Sequence, residues 1–205
     1  MFARFRKIRA DRRLWAAAQS LSDLGDLMAR WLEGDLIVWP GYTPGYGPDE
    51  ETTDLIPVLA AANRAGFVTD QSQPGCDEIG FDGARWVQRA AVTGLVADEV
   101  LLSRIRWACE DAGLLVVMCT PPRHRSWSCE IPATFRDGET VTSFGRELSL
   151  RELKFTWRGI SRPAMAEVVD AWQVTIVDLV DCRNDWLWPV LAKAVGLEQA
   201  ATTTP

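Results

Sequence analysis

One histidine, His124, stands among 205 residues, and that scarcity excludes much familiar chemistry. A histidine-based metal cluster cannot be assembled, and a Ser-His-Asp triad has only this one ring to draw on. The five cysteines, Cys76, Cys109, Cys119, Cys129 and Cys182, form no CxxC pair. Their odd number argues against a disulfide framework, so they are expected to be reduced. There is no GxxxxGK[ST] loop. Gly45 and Gly47 form a G-x-G, but Pro44 and Pro48 flank it and no strand enters it, which fails the context of a dinucleotide-binding turn. No run approaches the roughly 18 apolar residues of a membrane span, and the basic start is interrupted too soon for a signal peptide. A cytoplasmic protein without a membrane partner is expected. A net charge of -6 and a pI near 4.9 argue against a general nucleic-acid binder, which needs a basic face.

What is present fits one domain. The chain is 47% hydrophobic, enough for a sizeable core but cramped for two domains. Ten tryptophans stand against two tyrosines; Trp15, Trp31, Trp86, Trp107 and Trp172 fall in apolar patterns, where a large ring is expected to pack. Arg4, Arg6, Lys7, Arg9, Arg12 and Arg13 crowd residues 1–13 with only Asp11 opposing them. This reads as a solvated, partly frayed basic arm ahead of a domain over 14–197, with a disordered tail over 198–205.

From Asp11 to Leu32 apolar residues recur at helical spacing, with Ser20 or Ser22 as cap of a second helix ending near Gly34. Pro40, Pro44, Pro48 and the glycines between them make Trp39 to Glu51 a shaped loop, whose aromatic rings and glycines suit a pocket wall or equally a crossing of the surface. A helix then begins within Glu51 to Ile56, with Thr53 as its cap and Pro57 in its first turn, and stops at Asn63-Arg64-Ala65-Gly66. Phe67-Val68-Thr69 reads as a strand entering a polar turn, Asp70 to Gly75. Further along, the pattern predicts a strand over Trp86 to Val96, a helix over Ala97 to Ala112 and a buried strand over Leu114 to Cys119. Between Pro121 and Ser161 it predicts irregular hairpins with a turn at Arg136 to Glu139 and a strand over Leu153 to Ile160. A helix from Pro163 to Trp172, a strand over Val174 to Val180 and a final helix capped by Asn184 complete the reading. Asp178, Asp181 and Asp185 gather where that strand leaves; they suit a cation or acid–base chemistry, but equally a turn and a helix start.

One segment goes further. Glu51-Thr52, Asn63-Arg64-Ala65-Gly66 and Thr69-Asp70-Gln71-Ser72-Gln73-Pro74 stand in one ungapped stretch. Gln88-Arg89-Ala90, Phe155-Thr156-Trp157, Val177 to Asp181 and Leu187-Trp188 follow in order. Together they resemble the S-adenosylmethionine-binding C-terminal regulatory domain of eukaryotic methylenetetrahydrofolate reductases, over roughly residues 20–197 and weakly from Pro121 to Arg151.

The resemblance implies an α+β single domain with central mixed β-sheets surrounded by helices. It implies that Glu51, Thr52, Thr69, Ser72 and Thr156 bind S-adenosylmethionine or S-adenosylhomocysteine, and that the domain is a non-catalytic sensor, acting on a protein partner. It takes in no reductase barrel, so no flavin, nicotinamide or metal is expected. Taken alone, the same residues suit plain roles: Thr52 or Thr53 as caps, Thr69 in a strand, Ser72 in a turn. Two other functions stay open. One is an interaction domain using the Trp39 to Pro48 loop and the basic arm, with the pocket filled. The other is an enzyme with Glu51, Asp178 or Asp181 as acid–base groups, although kinship of fold carries no reaction.

Overall fold

Charged residues crowd the start of the described chain without a clear apolar stripe, yet they form a helix, α1 (Phe2–Ala17). The computed structural model describes residues 2–119 and 129–197; His124 and the tail beyond Leu197 lie outside these. The basic arm is therefore not frayed. Its anchors are tertiary: Asp11 is buried and accepts from the Ile37 backbone N–H at 2.7 Å, while Lys7 bonds Asp11 and the Asp35 carbonyl. Trp15 donates to the Val38 carbonyl at 2.6 Å, and Arg4 to that of Gly45. A charged helix with little apolar face is stable because it carries a loop.

Helix α2 (Leu21–Leu32) starts as expected, with a reciprocal capping box between Ser20 and Asp23. A 3-10 turn (Glu50–Leu55) leads into α3 (Ile56–Ala65). Thr53 does not cap it: the α-helix begins three residues later, with Pro57 in its first turn, where the missing N–H costs nothing. Gly66, at φ 104°, ends it in the left-handed conformation that glycine adopts without a Cβ clash.

The first sheet has strand order β1-β4-β8-β5, formed by β1 (Phe67–Gln73), β4 (Ala91–Val96), β5 (Leu115–Cys119) and β8 (Trp172–Val177). The second has order β2-β3-β6-β7, from β2 (Cys76–Ile79), β3 (Arg85–Gln88), β6 (Ile131–Arg136) and β7 (Glu139–Phe144). Every pairing among the described residues is antiparallel, where the resemblance implies mixed sheets. The expected strand over Trp86 to Val96 is two strands in different sheets, broken at Arg89-Ala90.

Alternation along the strands sets the layers. Val174 and Ile176 of β8, with Val116 and Met118 of β5, pack into the main core beside the helices; Val177, Leu115 and Val117 join Ala91, Ile131, Ala133 and Phe144 in a second cluster between the sheets. The order is thus helices, first sheet, second sheet, an α+β domain. Gln73 ties the two sheets, donating to the Arg89 and Ala133 carbonyls and accepting from Thr134.

Helix α4 (Glu99–Asp111), capped by Asp98, sits close to its predicted span. The predicted strand over Leu153 to Ile160 is instead helix α5 (Leu150–Thr156), started by a capping box between Ser149 and Glu152. Helix α6 (Arg162–Asp170) follows, and α7 (Leu187–Ala194) closes the domain. Asn184 does not cap α7 as expected; it accepts from Gly75 N–H and Trp188 Nε1 instead. Trp15 and Trp31 pack as predicted, but Trp107 is 66% exposed, with the Arg106 guanidinium over its ring. None of the five cysteines forms a disulfide. Among the described residues no helix is long and apolar enough to cross a membrane.

Candidate functional site

Strand β1 is the floor of the site. The polar stretch after Thr69 is not a turn: the strand runs on to Gln73, with its register to β4 shifted between Thr69 and Gln71, so that Asp70 is the extra residue of a bulge. Opposite Thr69 stands Gly94, where a Cβ would lie 2.5 Å from the Val68 carbonyl oxygen and 2.8 Å from Thr69 Cα. Only glycine lets the two strands close here.

Thr69 itself is buried and held by Asn63. The Asn63 amide donates to the Thr69 hydroxyl at 2.7 Å and to the Leu59 carbonyl at 2.8 Å, and its carbonyl oxygen accepts from the Thr69 backbone N–H at 3.0 Å. What reads in sequence as a helix stop is therefore a buried clasp between α3 and β1. The Thr69 hydroxyl still has its own proton to donate.

Above this floor lies a cavity of about 530 Å³. Thr52, Thr69, Ser72 and Thr156, four of the five residues singled out in the sequence, line it together. Glu51 does not; it is exposed on the 3-10 turn. Thr156 reaches the cavity from the end of α5 rather than from a strand.

Of the other walls, the sequence offered the aromatic loop as a possible pocket lining and gave no sign of Trp31 or Arg146. Trp31 and Trp39 meet at 5.2 Å between ring centroids, and Tyr42 stacks on Trp39 at 6.1 Å, giving an aromatic side. Trp39, Gly41, Tyr42, Pro48 and Asp49 belong to the loop that α1 pins. Asp49 accepts from the Tyr42 hydroxyl at 2.7 Å, an interaction that raises the tyrosine pKa. Arg146, exposed, lines the cavity from beyond β7 and pairs with Glu152 at 2.9 Å. That guanidinium, together with the Ser149 cap, draws the Glu152 carboxyl down to about 2.

The family model of a domain of unknown function, DUF6919, matches residues 10–198, which takes in every wall of this cavity. The chain belongs to the DUF6919 family. Among curated proteins, none matches the sequence. Among the described residues of this DUF6919 domain, two of the three buried side-chain polar atoms without a hydrogen-bond partner, Trp39 Nε1 and Asp70 Oδ1, belong to cavity residues. Such orphans are rare inside folded proteins, and each calls for a physical reason.

The aspartates near the end of β8 lie elsewhere. Asp178 is buried and takes a two-pronged bond from Arg183, at 2.7 Å to one oxygen, while it accepts from the Val180 N–H. Asp181 pairs with Arg89. Both are occupied in holding the turn after β8. Among the described residues no three His, Cys, Asp or Glu side chains are placed to hold a metal.

Proposed function

We propose that the DUF6919 domain is a non-catalytic binding domain for S-adenosylmethionine or S-adenosylhomocysteine, held in the cavity over β1. The observation that carries the reading is the convergence of Thr52, Thr69, Ser72 and Thr156 on one cavity. These four come from the 3-10 turn, the strand and a distant helix, and were named in the sequence before any geometry. The cavity lies within the range of about 300–1,000 Å³ usual for small-molecule sites.

Its walls suit the parts of an adenosyl amino acid. Trp31, Trp39 and Tyr42 offer faces for adenine. Thr52, Ser72 and Thr156 can bond the ribose hydroxyls, with Asp49 as an acceptor. Arg146 is the cation available to the amino-acid carboxylate, in competition with Glu152. The interaction-domain reading expects this pocket to be filled, and the open volume counts against it. The enzyme reading would use Glu51, Asp178 or Asp181, none of which lines the cavity.

Isothermal titration and thermal shift with each ligand test the proposal. Saturable heat at one site is expected, along with quenching of Trp31 and Trp39 fluorescence. At a hundredfold excess over Kd the domain should gain about 2.7 kcal/mol. Absence of heat and of any thermal shift at millimolar ligand, with folded protein, would overturn it.

A further inference from the structure

Asp70 has no part in holding the fold described above. It is the bulged residue of β1, and bulges recur where a strand re-aims a side chain. The residue as a whole is half-buried, but Oδ1 is closed off from solvent and accepts no hydrogen bond. No cation among the described residues is paired with it. The other charged residues lining the cavity are engaged: Asp49 by the Tyr42 hydroxyl and Arg146 by Glu152. The 3-10 turn and β4, packed beside this part of β1, line the cavity with uncharged Thr52 and Thr93. A carboxylate in such a place, beside three aromatic faces, is a receptor for positive charge.

We propose that Asp70 makes the cavity selective for a cationic ligand, its carboxylate taking a sulfonium or an ammonium centre. The inference rests on the reading of the cavity as a ligand site and adds the charge that its occupant carries. Burial pushes the Asp70 carboxyl up to about 7. Near neutrality much of the protein carries a proton there, which a bound cation must expel. Affinity for a cation therefore rises with pH, by about fivefold between pH 6 and 7, while a neutral ligand shows no such rise. Glu152 at about 2, and Tyr42 raised by Asp49, titrate outside this window. His124, outside the described residues, is controlled for by the variant below.

The test is titration calorimetry at pH 6 and 7 on the full chain and on Asp70→Asn, which keeps the shape and removes the charge. The probes are S-adenosylmethionine, with sulfonium and ammonium; S-adenosylhomocysteine, with ammonium alone; 5′-methylthioadenosine, with neither; and trimethylsulfonium. The wild-type chain is expected to bind at least one of the first two about tenfold or more tighter than the third, with the stated rise in pH. In Asp70→Asn the three adenosyl probes should fall within about twofold of one another, with no rise. A preference for S-adenosylmethionine assigns the sulfonium to Asp70, and equal affinities assign the ammonium. If Asp70→Asn keeps the wild-type preference, the inference is overturned while the adenosyl site stands. If only trimethylsulfonium binds, and only to the wild type, the inference stands and the adenosyl reading falls. If folded wild-type protein binds none of the four, both are overturned.

Discussion

Replacing Asn63 by Ala removes a side chain that is fully buried and makes three hydrogen bonds. Two backbone groups then lose their partners, the Thr69 N–H and the Leu59 carbonyl, and the Thr69 hydroxyl loses its donor. A buried polar group left unsatisfied costs about 1–3 kcal/mol. The Leu59 carbonyl keeps its helical setting and loses least, so the expected total is about 2–4 kcal/mol. For a domain of this size that is roughly 4–16 °C in Tm.

Urea denaturation followed by tryptophan fluorescence measures it directly. Thr69→Val, which keeps the shape but removes the hydroxyl, should cost about 1–2 kcal/mol. The double variant should cost less than the sum of the two, because one hydrogen bond is shared between them. A loss below about 1 kcal/mol for Asn63→Ala, or additivity within about 0.5 kcal/mol, would refute the view that Asn63 clasps Thr69.

Three further outcomes are expected. Gly94→Ala should cost about 2 kcal/mol or more, because its Cβ would meet the Val68 carbonyl, and it should weaken ligand binding through the displaced Thr69; chemical denaturation and titration read the two effects. Asp11→Ala should cost about 2–3 kcal/mol by freeing the Ile37 N–H and Lys7, and should raise proteolysis within the 35–49 loop; limited digestion followed by mass spectrometry checks this. Asp70→Asn, without ligand, should be more stable than wild type at pH 8 by something of order 3 kcal/mol, with the gap closing toward pH 4. The folded pKa of about 7 lies above the ordinary aspartate value of 3.8, so the folded state binds the extra proton and wild-type stability falls as pH rises between those values. Denaturation curves at pH 4, 6 and 8 suffice.

Where the local signal was strong, the sequence was informative. The Ser20 cap, the Gly66 stop, the short apolar run of β5 and the Asp137-Gly138 turn each act over a few residues, and each stands close to where it was expected. Helix α1 was legible only from Asp11 on; its basic first half was not, because its stability comes from Asp11 and Trp15 reaching across to the 35–38 segment. Helix α5 was mistaken for a strand because Phe155-Thr156-Trp157 is β-prone. Yet Ser149-Leu150-Arg151-Glu152 is a capping box in plain view, and it decides the matter. Four of the five site residues were found through the family resemblance. The loop that carries Trp39 could be named only as a possible wall, and Arg146 was not found, since a segment remote in sequence from Glu51 to Pro74 brings it in. Asp70 was passed over as a turn residue because a bulge is a property of two strands and leaves no mark in one.

The cavity is enclosed by residues from Met28 to Thr156, drawn from α2, the pinned loop, the 3-10 turn, both sheets and α5. No shorter piece of the chain contains it. An occupant would therefore be felt by the whole domain at once: hydrogen exchange should slow in α1 and in the strands of the second sheet as much as at the floor. A signal read at any of those surfaces would need no hinge, only the cooperativity of the fold.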